Sequence, residues 1–228
     1  MSQQRRKGPV QNAAQDPDEL FDVLSADGAP TGEVKARALV HRDGDWHRAV
    51  HVWVAGVDDG GSFILLQRRS LEKDTWPGWL DVTVGGHYRS GEGLDQALRE
   101  IEEEIGVTPS AEELRPLGVR RAVSERETGV LDRELQDVFL WRSDAPLTAY
   151  TPNAHELLAL IKAPLEPLLD LLAGDLDSVR VDCLNAADRS LSISRLQADD
   201  FVFTIDRYFY RSAIAVSRAL RGERHIAI

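Results

Sequence analysis

Apolar positions recur along this chain in two periods, and the elements follow from them. From Leu94 onward they fall at Leu94, Ala97, Leu98, Ile101 and Ile105, the recurrence of one buried helix face. At about 100° per residue, Glu100, Glu103 and Glu104 share a separate arc roughly opposite that face. Gly106 is placed to close this helix, where the chain needs a left-handed backbone. Upstream, Leu20–Ser25 reads as a short strand running into a turn at Asp27-Gly28, and Gly32–His41 as a short helix or irregular connector. His51–Ala55 and Phe63–Arg68 predict a hairpin about the Asp58–Gly61 turn, with His51, Trp53 and Ala55 pointing together. Downstream, Leu117–Val123 and Gln136–Trp141 predict two strands joined by the charged stretch Ser124–Leu135.

Past Pro146 the pattern predicts helices. Asn153–Ile161 has a candidate cap in Asn153 and an apolar face in Leu157, Leu158, Leu160 and Ile161. Pro164 and Pro167 interrupt before Leu168–Leu172, and Asp199–Arg221 reads as a longer helix. No internal repeat is present. These helices are expected to pack on the sheet or on a second subunit, which admits a homodimer.

Composition narrows the class. With 228 residues, 43% hydrophobic and 29% charged, the chain can bury a sizeable core as an ordinary soluble protein. Its net charge of −11 gives no general attraction to a nucleic-acid polymer or an anionic membrane. A polyanionic substrate meets an unfavourable field here, for which bound cations are the natural remedy. No apolar run approaches the roughly 18 residues a membrane span needs. Residues 1–16 form a polar arm, with Arg5, Arg6 and Lys7 before Gly8-Pro9, and lack the apolar core of a signal peptide. The arm is expected to be disordered. Cys183, the sole cysteine, excludes an intramolecular disulfide and fits a reducing cytoplasm.

The candidate chemistry centres on the acidic helix. Three carboxylates on neighbouring turns repel one another unless something positive sits between them. Arg99, four residues before Glu103, offsets part of that repulsion, and a hard divalent cation offsets far more. Before the helix, Gly85, Gly86, Gly91 and Gly93 leave a loop able to approach a ligand closely. His41, His47 and His51 lie within one short stretch, but their spacing matches no standard zinc pattern and no cysteine stands beside them. They have either a structural role or a ligand-facing one. Arg68, Arg69 and Lys73 are either surface cations or contacts to phosphate oxygens. Trp76 and Trp79, and the Tyr208-Phe209-Tyr210 cluster, serve either the core or a bound ring.

The stretch Gly85–Val107 resembles the signature of the Nudix hydrolases. Gly86 and Glu92 match its opening, and Arg99, Glu100, Ile101, Glu103, Glu104, Gly106 and Val107 match its close. Gly93–Leu98 is one residue shorter than the usual spacing between Glu92 and Arg99. The run from Glu19 through Leu65-Leu66-Gln67-Arg68-Arg69-Ser70, Lys73 and Trp76–Trp79 looks like the branch that includes isopentenyl diphosphate isomerase. That enzyme places a catalytic cysteine just before the position of Gly85-Gly86. Here Leu80–Val84 holds none, so the chain looks like an isomerase-like member that hydrolyses.

The resemblance implies an α/β (α+β) Nudix fold, a mixed sheet sandwiched between helices. It would occupy 17–150, with 151–228 as a C-terminal helical extension packed on the same domain. It implies metal-dependent cleavage of a diphosphate linkage in a nucleoside di- or triphosphate or another nucleoside-diphosphate-linked small molecule. Glu100, Glu103, Glu104 and Glu134 would hold Mg²⁺, with Mn²⁺ as a substitute. Glu134 belongs to the triplet Asp132-Arg133-Glu134, which stands where the isomerase branch carries metal-binding acids. Glu125 and Glu127 compete for that task. Glu100 is the first candidate for general base, with Glu134 behind it. Arg99 would orient the glutamates, and Arg68, Lys73, Gly86 and His87 would contact substrate. The rival readings are an isomerase and a non-catalytic binding module of the same fold.

Overall fold

The computed structural model describes residues 16–73, 75–125 and 131–228, except the side chain of Glu125. The N-terminal arm up to Gln15, the side chain of Glu125 and all of Glu127 lie outside the described residues.

The organising element is the long strand β3 (Trp46–Asp58). It follows β1 (Leu20–Leu24), β2 (Pro30–Ala36) and helix α1 (Arg37–Asp43), and turns tightly into β4 (Gly61–Arg69). Its residues Val50, Val52, Trp53, Val54 and Ala55 are all buried, because both faces are covered. Trp53 and Ala55 point into one core with Ile64 and Leu66 of β4. Val50, Val52 and Val54 point into the other, with Phe63 and Leu65. Alternation along a strand thus feeds two layers from one segment.

Four further strands surround β3. β5 (Leu80–Asp81) pairs with β4, and β6 (Val84–His87) lies antiparallel to the first half of β3. β7 (Leu114–Glu125) and β8 (Leu131–Arg142) form the expected hairpin, and β8 runs parallel to β3. The expected acidic helix is present in two pieces, α2 (Leu94–Ala97) and α3 (Arg99–Ile105), broken at Leu98 within the shortened spacing. Ala97, Leu98, Ile101 and Ile105 bury against the second core. Gly106 ends α3 at φ 71°, donating its N–H to the Glu102 carbonyl. A Cβ there would lie 2.7 Å from Cβ of Thr151, so both backbone sign and space demand glycine.

The region past Pro146 departs from the expectation. Asn153–Ile161 is not a helix: Leu157–Pro164 is a strand, β9, hydrogen-bonded to β4 on one side and to β10 (Val179–Asn185) on the other. Asn153 instead closes a turn, its carbonyl accepting from the N–H groups of Glu156 and Leu157 at 2.9 and 3.0 Å. Helix α4 (Leu165–Ala173) starts immediately after Pro164 and accommodates Pro167 in its first turn, where no N–H is required. β10 pairs with β11 (Leu191–Leu196), extending the sheet further. The last helix, α5, covers only Tyr208–Leu220, and residues 202–207 before it run as an open segment after a short 3₁₀ turn at Ala198–Asp200. α4 and α5 pack on the Trp53 face of the sheet through Leu165, Leu168, Phe209 and Val216, opposite α2 and α3. A mixed sheet between two helical layers results, with helix α5 at the C-terminal end.

Candidate functional site

Strand register assembles a cluster of ligating side chains at the first half of β3. The parallel β3–β8 ladder sets His47 directly opposite Glu134, and the β3–β6 ladder sets His87 opposite Ala49. α1 ends at Gly44, and the following turn brings His41 beside His47, with ring centroids 5.3 Å apart. Two overlapping groups have ligand atoms within 4.8 Å of one another: His41, His47 and His87, and His47, Asp132 and Glu134. Phe21 of β1 walls the cluster, stacking on His47 at 5.2 Å and on His87 at 5.0 Å.

Hydrogen bonds define the state of His47. Its Nδ1 lies 3.1 Å from the carbonyl oxygen of Asp45. A carbonyl only accepts, so Nδ1 carries the proton. Burial lowers the His47 pKa despite the nearby Glu134, so the ring is neutral and Nε2 bears a lone pair. That nitrogen is buried without a hydrogen-bond partner, and faces Asp132 Oδ1 at 3.7 Å and Glu134 Oε1 at 4.0 Å. A lone pair directed at two carboxylates is repulsive, and a cation between them reverses the sign. Donation of the other ring nitrogen to a carbonyl is also how metal-binding imidazoles are oriented. The residues therefore fit a divalent cation.

His87 donates from Nε2 to Glu134 Oε1 at 2.9 Å. Burial pushes His87 down to about 3. Burial alone would raise Glu134, but the hydrogen bond donated by His87 holds it well below the usual carboxylate range. Gln136 also donates to Glu134 and accepts from Arg120 at 2.7 Å, while Arg120 grips Asp206 with two hydrogen bonds at 2.8 and 2.9 Å. The open segment before α5 is thereby tied to the cluster.

A cavity of about 700 Å³ opens beside it. Of the residues expected at the site, Glu100, Glu103, Glu134, Lys73, Gly86 and His87 line it. Glu100 packs so closely on β6 that a Cβ at Gly86 would lie 2.3 Å from its Cγ and Cδ. Burial pushes Glu100 up to about 7 against the opposing pull of Arg99. Arg99 stands behind the wall and bonds Glu100, with Glu92 at 3.3 Å and Glu103 at 3.9 Å. Glu104 also lies behind it. Although it shares the helix arc with Glu103, it is fully buried, accepting from Gln67 Nε2 at 3.0 Å. Burial, with Glu156 and Glu100 nearby, pushes it up to about 8. Lys73 pairs with Glu156 in a buried ion pair. Arg68 is not on the wall: it donates to the carbonyl of Gly78, and its neighbour Arg69 lines the cavity instead, bonded to Asp81 at 3.0 Å.

Arg120 and Gln136 beside Glu134, and Val202–Asp206 before α5, line the cavity without having been expected there. Tyr208 and Phe209 of the expected core-or-ring cluster do both, lining the cavity and packing in the core. Val202–Asp206, Tyr208 and Phe209 form one wall of the cavity, and Phe203 and Ile205 are 70% and 88% exposed. The sequence carried no signal for this wall, because Phe201 and Ile205 fit the apolar positions of a helix over Asp199–Arg221 and only the fold leaves 202–207 open. Cys183 lies buried on β10 in the core and not on the cavity wall.

Comparison with known proteins agrees with this architecture. The NUDIX domain family matches residues 45–181. An uncharacterised Nudix hydrolase of Clostridium acetobutylicum is 31% identical over 81% of this chain and 90% of its own. Nudix hydrolase 3 of Arabidopsis thaliana is 35% identical over 78% of this chain, which spans only 26% of that longer protein. An isopentenyl-diphosphate Delta-isomerase of Leifsonia xyli is 35% identical over 54% of this chain and 66% of its own. Among solved structures, DR0079 of Deinococcus radiodurans aligns with a TM-score of 0.50 and 26% identity over 68% of this chain and 90% of its own. The chain belongs to the Nudix family and is a Nudix-type hydrolase, with isomerase-named proteins among its relatives.

Proposed function

We propose that this protein is a divalent-metal-dependent hydrolase of a diphosphate linkage in a nucleoside di- or triphosphate or another nucleoside-diphosphate-linked small molecule. The observation that carries this reading is the convergence on one cavity of the acidic helix residues Glu100 and Glu103, the histidine–carboxylate cluster, and the cations Arg69 and Lys73. His41, His47, Asp132 and Glu134 would hold one cation, with His87 bonded to Glu134 beside them. Their mixed nitrogen and oxygen donors suit Mn²⁺ better than Mg²⁺. The cavity-facing carboxylates of Glu100 and Glu103 would suit Mg²⁺, whereas Glu104 stands behind the wall on Gln67. A bound cation supplies charge neutralisation of the diphosphate and a more acidic bound water.

The protein's own groups do the remainder. Glu100, with a pKa raised to about 7, is matched to general-base work at neutral pH, and Glu134 stands second for that role. Arg99 orients Glu100 and Glu103 from behind the wall. Arg69, Lys73 and the backbone at Gly86 would receive phosphate oxygens, and His87 would lie beside them. The apolar rim of Phe203 and Ile205 would receive the organic part of the substrate. Isomerase chemistry is disfavoured because no thiol lines the cavity among the described residues. Localisation in the cytoplasm accords with the absence of any helix, among the described residues, long and apolar enough to cross a membrane.

The test is phosphate-release turnover on nucleotide, sugar and isoprenoid diphosphates with Mg²⁺, with Mn²⁺ and with chelator, beside Glu103→Gln. Metal-dependent turnover that falls by orders of magnitude in the variant is expected. Near-normal turnover in the variant would refute the metal role of Glu103, and conversion of isopentenyl diphosphate without phosphate release would restore the isomerase.

A further inference from the structure

His51 is the early histidine that does not join the metal-compatible cluster. It lies on the Trp53 face of β3, and Tyr208, the first residue of α5, reaches both side chains. Trp53 Nε1 is 3.2 Å from the Tyr208 hydroxyl oxygen, and His51 Nδ1 is 3.0 Å from the same atom. Donor chemistry gives this chain of groups a direction. An indole N–H can only donate, so the Tyr208 oxygen accepts from Trp53.

A phenol has one proton to give, and Tyr208 keeps it, because burial raises its pKa well above the ordinary range. Ser212 Oγ comes near Tyr208 one turn along α5 but has no partner within hydrogen-bond geometry. The phenolic proton therefore points to His51 Nδ1. Burial lowers the His51 pKa, leaving a neutral ring whose only proton is on Nε2. This nitrogen lies on the ring edge that faces Gly85: a Cβ added there would stand 3.5 Å from both Nε2 and Cδ2. His51 lines the cavity, and Nε2 meets no acceptor among the described residues.

An N–H donor on the wall of a cavity that also holds Arg69 and Lys73 calls for an acceptor oxygen. We infer that His51 is a neutral hydrogen-bond donor to a phosphoryl oxygen of the bound substrate, held in its Nε2–H form by the positioning residues Trp53 and Tyr208. This rests on the diphosphate reading above and adds a substrate contact to it. It also separates the histidines by chemistry: His47 presents a lone pair, which binds a cation, and His51 presents a proton, which cannot.

The test uses the full chain with ¹⁵N-labelled histidine, Mg²⁺ and inorganic diphosphate as probe. Long-range ¹⁵N–¹H spectra are expected to show His51 as the Nε2–H tautomer, drifting toward a tautomer mixture in Tyr208→Phe. Diphosphate is expected to shift the His51 Nε2 resonance. His51→Gln, whose amide nitrogen can stand near the Nε2 position, should bind diphosphate within a few-fold of the parent. His51→Phe should bind it roughly tenfold or more weakly, the loss of a hydrogen bond to a charged group. An Nδ1–H tautomer, no response of His51 to millimolar diphosphate, or equal binding by His51→Phe would each overturn the inference. Binding needs no turnover, so a silent substrate panel with a responding His51 removes only the hydrolase reading. Turnover with an unresponsive His51 removes only this inference.

Discussion

His47 presents its unprotonated Nε2 to Asp132 Oδ1 across 3.7 Å, while its Nδ1 is committed to the carbonyl of Asp45. Cation binding is expected to relieve this contact. Titration calorimetry with Mn²⁺ should show binding to the parent protein and affinity lowered tenfold or more in His47→Gln. Saturating Mn²⁺ should raise the Tm of the parent and not of the variant, since only a ligand that prefers the folded state stabilises it. Equal affinities would remove His47 from the metal set.

Gly86→Ala isolates the placement of Glu100. The new Cβ would sit 2.3 Å from Glu100 Cγ and Cδ, so the glutamate must swing away while the strand stays in place. A loss of turnover of roughly a hundredfold or more is expected, with Tm lowered by no more than a few degrees. Activity near the parent level would mean that Glu100 is not held against β6 during reaction.

Glu104 and Glu100 give the metal-free protein a definite pH dependence. Both have pKa values raised from 4.5, to about 8 and about 7, so between those limits the folded chain holds protons that the unfolded chain has released. Their contribution is fully present below about pH 4.5 and is lost as pH rises through about 7 and 8. In chelator, the Tm should therefore fall from about pH 5 to about pH 9. Glu104→Gln, which resembles the protonated acid and still accepts from Gln67, should flatten that fall and raise the Tm by several degrees at the alkaline end. A variant with the parent's pH slope would show that Glu104 does not hold its proton.

Phe203 and Ile205 test the apolar rim. Both are highly exposed, so Phe203→Ser and Ile205→Ser are expected to leave Tm unchanged. If the organic part of the substrate rests on them, KM should rise roughly several-fold to tenfold for each, with kcat little changed. An unchanged KM on the preferred substrate would place that group elsewhere in the cavity.

How much of this was legible beforehand depended on range. The β3–β4 and β7–β8 hairpins and the helix ending at Gly106 were readable because each is specified by neighbours a few residues apart. The pairing of His51 with Trp53 on one strand face followed from the same alternation, and both indeed meet Tyr208. The sequence pattern predicts a helix at β9 because Leu157–Ile161 is a short continuous apolar run, which periodicity cannot assign. Burial between β4 and β10 makes it a strand, and β4 lies far back in the sequence while β10 returns only after α4.

The sequence by itself determined the family through the Gly85–Val107 spacing, which lies on one loop and one helix and so is fixed by local geometry. It also marked Glu100, Glu103, Glu134 and His87 as site residues, all of which the fold gathers on one cavity. Only the tertiary structure decided that His41, His47, His87, Asp132 and Glu134 form one cluster. Their meeting depends on a parallel β3–β8 register, an antiparallel β3–β6 register and the turn after α1. Such pairings are set by burying both faces of β3 at once, a condition that no local stretch of residues carries.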